Sequence, residues 1–304
     1  MQKLKTVFFG THEFAATILK ELLASDFLSI DLVLTQPDRK VGRKQVIEES
    51  PVKKLASARK LSIDQPESLK NYSLHFTPDL NIVAQYGLIM PKKIVESPKF
   101  GSINVHGSLL PKYRGASPIQ MAIVNGEKET GITIMQMDEK MDHGPILTQK
   151  SLPIDEDDNY TALSHKMAVM GSKLLIDTIP KYVSGIIKPQ PQEGEPTFTK
   201  LLSKEDGMVD FKKTTDEIYN QYRGLTPWPG IWTTWNGKRI KLLKISKSNT
   251  DLSAGRVTVD NKKIFIGCSV GSIEILELQL EGKNPMDAKA FLNGFKNFDG
   301  TNLL

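Results

Sequence analysis

Three polar residues, Asn104, His106 and Asp142, have the types and the spacing to carry acyl-transfer chemistry. Asn104 and His106 end the apolar stretch INVHG, which is typical of a buried strand, and side chains two residues apart on a strand share a face. Asp142 lies in the loop DEKMDHGP after the strand-like GITIMQM, from which it could reach the imidazole. The Asn amide could then stabilise an oxyanion, with His as donor or proton carrier and Asp orienting the ring.

Two observations bear on this hypothesis. An Asn and a His at the end of a strand would also be accounted for by turn-forming or capping roles. Ser108 follows the histidine, but no nucleophile-elbow pattern surrounds it, and we expect Cys268 on its apolar strand to be a buried packing residue. If the residues are catalytic, they favour direct transfer to a substrate amine over an acyl-enzyme.

The bulk properties exclude several classes of protein. A chain of 304 residues with one cysteine is long enough for two domains, and it can form neither an internal disulfide nor a cysteine-rich zinc site. The histidines have no metal-ligand spacing, so we expect no metal. No apolar stretch approaches the roughly 20 residues of a membrane-spanning helix, and the N-terminus has no signal-peptide pattern. We expect a cytoplasmic protein with no membrane partner.

Positive charge suggests a nucleic-acid partner. The net charge is +5, and most of the excess lies in the C-terminal third. The loop TQPDRKVGRK adds Arg39, Lys40, Arg43 and Lys44, on a segment that its proline and glycine keep out of a helix. Such a loop could reach phosphates. Solubilising lysines and an ordinary solvated loop would account for the same pattern.

Strand-like and amphipathic segments alternate in residues 1–189. The main ones are LKTVFFG, EFAATILKELLAS, DLVLTQ, VKKLASARK, PDLNIVAQYG, GSINVHG, PIQMAIVNG, ETGITIMQMD and TALSHKMAVMGSKLLIDTIPKYVSG. This alternation predicts an α/β domain with a Rossmann-like, mostly parallel sheet flanked by helices. Parallel sheets bind ligands at the carboxyl ends of their strands, where Asn104 and His106 stand.

The rest of the chain has a different pattern. Residues 190–206 are rich in Pro, Gly and charge and have no period, which predicts a linker. Residues 207–304 are predicted to begin with a helix and to continue as short strands separated by turns such as Asn236-Gly237 and Asp260-Asn261. We expect a smaller C-terminal β-barrel of OB-like type, with Trp228 and Trp232 in its core.

A resemblance to a known family sharpens the hypothesis. HGSLLPKYRGASPIQ and ETGITIMQMDEKMDHGPIL resemble the signature of the 10-formyltetrahydrofolate-dependent formyltransferases, and QYGLIMP resembles the loop that lines their pterin pocket. The resemblance implies that 10-formyltetrahydrofolate is the co-substrate and that Asn104, His106 and Asp142 are catalytic. The folate-binding residues implied in this way are Gly87, Leu88, Ile89, Ser108, Leu109, Leu110, Pro111 and Asp138.

Other segments indicate a branch of that family. FFGTHEFAA, with His12 where proline is usual, TQPDRKVGRK and QYRGLTPWPG are similar to segments of the methionyl-tRNA formyltransferases. The resemblance implies that the formyl group goes to the α-amino group of methionyl initiator tRNA. It also implies that the basic loop meets the tRNA acceptor stem, with Arg43 as its main contact, and that residues 207–304 bind tRNA. We expect the enzyme to be a monomer.

Three alternatives stay open. Formyltransferases of small amines and hydrolases that release formate from the same folate would share the three polar residues, so these residues do not separate them. The basic loop and the basic second domain favour tRNA, because a small substrate needs neither. A catalytically silent RNA-binding protein on an α/β scaffold is the third alternative, and the intact trio weighs against it.

Overall fold

The computed structural model describes residues 3–41 and 45–303, and these form two compact units. The first unit contains the residues up to Pro118 together with Glu129–Pro153 and Ala162–Lys200. The second contains Ile119–Lys128, Ile154–Thr161 and the residues from Leu201 onward. Two short segments from the middle of the chain thus belong to the second unit, although they are far from it in sequence.

Strands and helices alternate up to residue 200. The strands are β1 (Leu4–Gly10), β2 (Leu28–Leu34), β3 (Arg39–Val41), β4 (Val46–Glu48), β5 (Ile63–Asp64), β6 (Leu80–Ala84), β7 (Ser102–His106), β8 (Arg114–Gly115), β9 (Glu129–Gln136), β10 (Ile146–Pro153) and β11 (Phe198–Thr199). The helices are α1 (Glu13–Leu22), α2 (Pro51–Ala58), α3 (Lys92–Val95), α4 (Pro118–Val124) and α5 (Tyr160–Val183). None of the helices that the structure describes is long and apolar enough to cross a bilayer.

A seven-stranded sheet forms the centre of the first unit, in the order β10-β9-β7-β6-β1-β2-β5. The five strands from β7 to β5 are parallel, and β9 and β10 continue the sheet antiparallel. All five residues of β6 are buried, as expected for a strand covered on both faces. Chain order reverses beside β1, so the carboxyl ends of β1 and β6 border the crevice where such sheets bind ligands.

Alternate residues of the parallel strands form the apolar layer on one face of the sheet. Val7 and Phe9 of β1 pack in one cluster with Leu32 and Leu34 of β2 and Val83 of β6. Leu88, Met90 and Met137 of the loops after β6 and β9 pack against the same cluster. The core therefore also fixes the loops at the strand ends.

The second unit is built on antiparallel strands. Its elements are α6 (Thr215–Leu225), β12 (Ile231–Trp235), β13 (Lys238–Ser248), β14 (Val257–Asp260), β15 (Lys263–Gly267), β16 (Ser272–Leu280), β17 (Met286–Asp287) and α7 (Ala288–Gly294), with short 3-10 helices at Glu205–Gly207 and Lys296–Phe298. The strands are ordered β12-β13-β16-β15-β14, and β17 pairs with β16. The prediction of a mostly parallel sheet with a smaller antiparallel β domain is confirmed.

The two hairpin turns differ in how well they were predicted. Asn236 and Gly237 both have positive φ, the conformation of a two-residue turn between antiparallel strands. In the β14–β15 hairpin the positive-φ residues are Asn261 and Lys262, so the turn lies one residue later than predicted. Asp260 instead pairs with Lys263 as the last residues of the ladder.

The tryptophans of the predicted core separate into two environments. Trp232 is buried, its indole N–H donates to the carbonyl of Lys204 at 2.8 Å, and its ring lies 3.8 Å from the guanidinium carbon of Arg239. Trp228 is 52% exposed, so its placement in the core was wrong. Trp228 lies in the turn between α6 and β12, where no strand alternation directs its side chain inward.

The segment predicted as a linker begins with residues that are bonded within the first unit. Gln190 pairs with Ile146 through both backbone groups, and β11 pairs in parallel with β8. The Pro- and Gly-rich composition of residues 190–200 gives no sign of these bonds, because every partner is distant in sequence.

Candidate active site

Strand β7 places Asn104 and His106 at the carboxyl end of the sheet. The strand lies between β6 and β9, and its register sets Asn104 opposite Met135 and His106 opposite Thr133. The His106 side chain is 6% exposed. Both residues thus stand on a strand fixed from both sides, which restricts where their side chains can point.

The loop after β9 brings Asp142 to these two residues, as the sequence predicted. One carboxylate oxygen, Oδ1, accepts from Asn104 Nδ2 at 3.3 Å and lies 3.5 Å from His106 Nδ1. The other, Oδ2, accepts from the backbone N–H of Gly115 at 2.8 Å. Asp142 has φ +49, a left-handed conformation that is uncommon for a residue with a side chain. The three residues form one connected polar cluster.

The hydrogen bonds of His106 distinguish its two ring nitrogens. Nε2 lies 3.0 Å from the carbonyl oxygen of Tyr113, and a carbonyl can only accept, so Nε2 carries a hydrogen. Nδ1 is the nitrogen that faces Asp142, at a distance longer than a normal hydrogen bond. Nδ1 is therefore the ring nitrogen available to a reacting group.

The hydroxyl of Thr133 holds the Ser108–Pro111 segment in place through hydrogen bonds. Its hydroxyl donates to the Ser108 carbonyl at 2.7 Å and accepts from the Leu110 N–H at 3.1 Å. Gln149 donates to the same hydroxyl and to the Leu110 carbonyl. The hydroxyl of Ser108 is fully buried and donates to the Lys112 carbonyl. Because the whole residue is buried, Ser108 holds this segment in place through that bond.

Three more residues of the predicted folate-binding set lie in this segment, namely Leu109, Leu110 and Pro111. Leu110 is buried, and Leu109 packs so closely on Gly131 that a Cβ there would lie 2.4 Å from the leucine methyl. The peptide bond between Leu110 and Pro111 is cis.

The predicted pterin loop follows β6. Gly87 has φ +80, and a Cβ on it would lie 2.3 Å from Nε2 of Gln36, which donates to the carbonyl of Tyr86. Leu88 packs on the sheet cluster, whereas Ile89 is 92% exposed. Burial raises the pKa of the Tyr86 phenol well above its usual range, so the phenol is neutral at physiological pH.

Asp138 is not part of the cluster around Asp142. Its carboxylate lies 2.6 Å from Nδ1 of His143 and accepts from the backbone N–H of Lys140. Asp138 and His143 line a cavity of about 740 Å³, which Val95 and Tyr182 also border. His143, the neighbour of Asp142 in the sequence, thus faces Asp138. Within residues 3–41 and 45–303, no group of three His, Cys, Asp or Glu side chains could hold a metal ion.

The basic loop contains a hairpin that the sequence analysis missed. Strands β3 and β4 pair antiparallel, and Arg39 and Lys40 are exposed on the first of them. Arg43 and Lys44 lie outside the described residues. The guanidinium of Arg39 donates to the side chain of Gln36. Desolvation, and then the charge of Arg39, lower the pKa of His12.

An ion pair anchors the base of this hairpin. Asp38 accepts from the ammonium of Lys53 at 2.5 Å and from the side-chain amide of Gln65 at 2.8 Å. The hydrogen bond from Lys53, and then that from Gln65, lower the pKa of the Asp38 carboxyl.

Sequence reasoning missed two backbone groups and one side chain that support the cluster. The Tyr113 carbonyl and the Gly115 N–H act on His106 and Asp142. Both lie inside the family-like stretch HGSLLPKYRGASPIQ, which was the signal that could have indicated them. Gln192 contacts the Asp142 loop from the predicted linker, and no sequence signal indicated it.

Comparisons with known proteins agree with this architecture. A sequence model described as formyl transferase matches residues 4–179, and one described as the formyl transferase C-terminal domain matches residues 201–296. The crystal structure of an N-formyltransferase from Helicobacter canadensis, in complex with folinic acid and dTDP-3-aminofucose, superposes with a TM-score of 0.65 at 21% identity. The alignment covers 90% of this chain and 98% of the chain in that crystal structure, and it shows that the two proteins share a fold.

Two curated relatives are similar at the level of sequence. The methionyl-tRNA formyltransferase of Lactococcus lactis subsp. lactis is 44% identical over 308 residues, covering 97% of this chain and 96% of the relative. That of Thermodesulfovibrio yellowstonii is 42% identical over 299 residues, covering 97% of each. With this identity across both domains and the polar cluster at the end of β7, the chain belongs to the methionyl-tRNA formyltransferase family.

Proposed function

We propose that Asn104, His106 and Asp142 carry out the formyl transfer in this protein. As an enzyme of its family, the protein transfers the formyl group of 10-formyltetrahydrofolate to the α-amino group of methionyl initiator tRNA, for translation initiation. The observation that carries the proposal is the contact of Asp142 with both Asn104 and His106 at the carboxyl end of β7.

The reaction needs an oxyanion to be stabilised and a proton to be moved. The neutral amine attacks the formyl carbon, a tetrahedral oxyanion forms, the bond from carbon to N10 breaks, and the amine proton is delivered to N10. A free α-amino group has a pKa of about 7.7 to 8, so a neutral amine is available near neutral pH. Asn104 Nδ2 gives one hydrogen to Asp142 and keeps the other for the oxyanion.

His106 is suited to moving the proton. Because Nε2 donates to the Tyr113 carbonyl, a neutral ring has its lone pair on Nδ1, on the side of Asp142. Nδ1 can accept the proton that the amine loses, while the Asp142 carboxylate stabilises the resulting imidazolium. The ring can then give the proton to N10, which returns His106 to its neutral form.

The loops around this cluster are proposed to hold the folate. Gly87, Leu88 and Ile89 present backbone and apolar groups beside the sheet crevice, and a further set completes the proposed site: Ser108, Leu109, Leu110, Pro111 and Asp138. Of these, Ile89 is the most exposed apolar side chain, which is the character expected of a contact that a ring system covers on binding.

For the tRNA we propose two contacts. The hairpin of β3 and β4, with Arg39 and Lys40 and the adjoining Arg43 and Lys44, would meet the acceptor stem through phosphates. Residues 207–304 would form the second contact, joined to residues 1–189 through the segment 190–206. We also propose that the enzyme acts in the cytoplasm as a monomer.

The test is transfer of radiolabelled formyl from 10-formyltetrahydrofolate to methionine-charged initiator tRNA, with uncharged tRNA, an amino-sugar nucleotide and water as competing acceptors. Label on charged tRNA alone supports the proposal. Label on the amino sugar, or its release as formate, would be consistent with the proposed catalytic role of the cluster and would contradict the proposed tRNA contacts.

A further inference from the structure

Gln192 connects the segment after α5 to the loop that contains Asp142. Its side-chain nitrogen donates to the carbonyl oxygens of Asp142 and Gly144, at 2.8 and 2.9 Å. Its oxygen accepts from two nitrogens of the buried Arg114 guanidinium, at 3.1 and 2.7 Å. A glutamine amide has two N–H donors and an oxygen with two lone pairs, so the whole hydrogen-bonding capacity of Gln192 is used.

These partners require an amide at this position. Carbonyl oxygens only accept and a guanidinium only donates, so a reversed amide would place oxygen against oxygen and N–H against N–H. A carboxylate at residue 192 would still accept from Arg114, but it would have no hydrogens for Asp142 and Gly144. Replacing Gln192 by Glu therefore removes the contacts made by the amide N–H groups and keeps those made by the amide oxygen.

The backbone that Gln192 holds is strained. Asp142 has φ +49, and a non-glycine residue in this region persists only where its surroundings hold it. The bonds from Gln192 fix the carbonyl groups at Asp142 and Gly144, on either side of His143. The Asp142 carboxylate is held separately, by the N–H of Gly115.

Gln192 is itself fixed on both sides along the chain. Two residues before it, Gln190 exchanges backbone hydrogen bonds with Ile146 at 2.7 and 2.9 Å. Five residues after it, the Thr197 carbonyl accepts from the Arg114 N–H at 2.8 Å, and the Thr197 hydroxyl accepts from the Tyr113 N–H at 2.8 Å. The segment after Gln192 therefore contacts Tyr113 and Arg114. These residues lie beside the Tyr113 carbonyl that bonds His106 and the Gly115 N–H that bonds Asp142.

We propose that Gln192 is a positioning residue for formyl transfer, which sets the direction of the Asp142 carboxylate by holding the backbone on both sides of His143. The proposal rests on the catalytic role of Asp142 proposed above. Gln192 touches no reacting group, so its loss should slow the chemical step without weakening the binding of folate or tRNA.

The test compares Gln192→Glu with Gln190→Glu. The second variant makes the same chemical change two residues away, on a side chain whose hydrogen bond within the described residues is to the Lys188 carbonyl, at 3.3 Å. We expect Gln192→Glu to lower kcat about 10- to 100-fold, the range of a misplaced catalytic group, with KM for tRNA and Kd for folate unchanged. Gln190→Glu should retain the wild-type kcat and the wild-type Tm.

A double-mutant cycle separates positioning from a general structural role. If Gln192 acts through Asp142, adding Gln192→Glu to Asp142→Asn should lower the single-turnover rate no further. A full additional loss in the double variant would overturn the proposal, as would a kcat within twofold of wild type for Gln192→Glu.

Two further outcomes are distinguishable. Wild-type activity of Asp142→Asn would contradict the proposed catalytic role as well as this proposal, whereas an inactive Asp142→Asn beside a fully active Gln192→Glu overturns this proposal alone. If Gln192→Glu does not fold, Gln192→Ala, which introduces no repulsion, takes its place with the same expected loss of kcat.

Discussion

At the scale of single residues, the carboxylate of Asp142 links the cluster. Its two oxygens contact the Asn104 amide, the His106 ring and the Gly115 N–H. The Asn104 amide and the Gly115 N–H contact different oxygens, so an amide side chain, which has one accepting oxygen, could satisfy only one of these uncharged donors. In the proposed transfer the imidazolium also needs the negative charge. The proposed role of Asp142 therefore uses both its oxygens and its charge.

Asp142→Asn removes this charge with little change of size. We expect kcat to fall by about two decades or more, because the imidazolium loses its counter-ion, while Kd for folate is unchanged. Single-turnover formyl transfer measures the rate, and calorimetry measures folate binding. Asp177→Asn is a matched control, because Asp177 is exposed on α5 and makes none of these contacts. An equal loss in both variants would contradict the distinct role of Asp142.

At the scale of elements, the pairing of β8 with β11 holds the Gly115 N–H in place. Gly115 has φ +108, and a Cβ on it would lie 2.2 Å from the Thr199 carbonyl oxygen. Gly185 also has positive φ, but nothing lies within 4 Å of its Cβ position. The two glycines share the backbone strain of a substitution and differ in the steric clash.

Gly115→Ala should therefore separate β8 from β11 and move the N–H away from Asp142. We expect a loss of at least about 10-fold in kcat, since a shift of about 1 Å in a catalytic group has that scale of effect. Gly185→Ala should lower stability by about 1 kcal/mol and leave kcat unchanged. Steady-state kinetics with urea unfolding compares them. Normal kcat in Gly115→Ala would show that the N–H does not position Asp142.

The β3–β4 hairpin is the second element with a predicted role. Arg43→Ala should raise KM for tRNA several-fold and leave Kd for folate unchanged, because it removes the phosphate contact proposed for this loop. Arg59→Ala, at the exposed end of α2, removes the same charge elsewhere. Measuring KM for tRNA at two salt concentrations tests the charge, because the salt dependence of KM should weaken in Arg43→Ala only. Identical kinetics for both variants would remove the loop from tRNA binding.

At the scale of the whole molecule, the two units have separate cores. In the second unit, Trp235 lies at the centre of an aromatic cluster with Phe291, Phe295 and Phe298, at centroid distances of 6.1, 5.8 and 5.0 Å. The chain's three tryptophans are Trp228, Trp232 and Trp235, and all lie in this unit. Tryptophan fluorescence therefore reports the unfolding of the second unit alone.

Phe298→Ala should destabilise the second unit by about 3 to 5 kcal/mol, the usual loss for a buried phenylalanine. Urea unfolding followed by fluorescence should show the shift, while formyl donor binding in the first unit is retained. Val270→Ala, on a side chain that is 68% exposed, is the control and should change stability by less than about 0.5 kcal/mol. Equal midpoints for the two variants would show that the C-terminal segment does not contribute to this core.

The sequence by itself determined the α/β and antiparallel classes of the two units, the strand that ends in Asn104 and His106, and the loop of Asp142. These follow from local periodicity and from motifs in contiguous stretches, which the chain carries whatever its tertiary contacts are.

Only the tertiary structure decided what holds those residues in place. Gly115, Gln192 and the aromatic C-terminal cluster depend on partners distant in the chain, and hydrogen bonds between such segments leave no periodic pattern. The exposure of Trp228 was likewise decided by a turn and not by strand alternation. The physical reason is the same in each case: local preference selects an element, and long-range packing selects its partners.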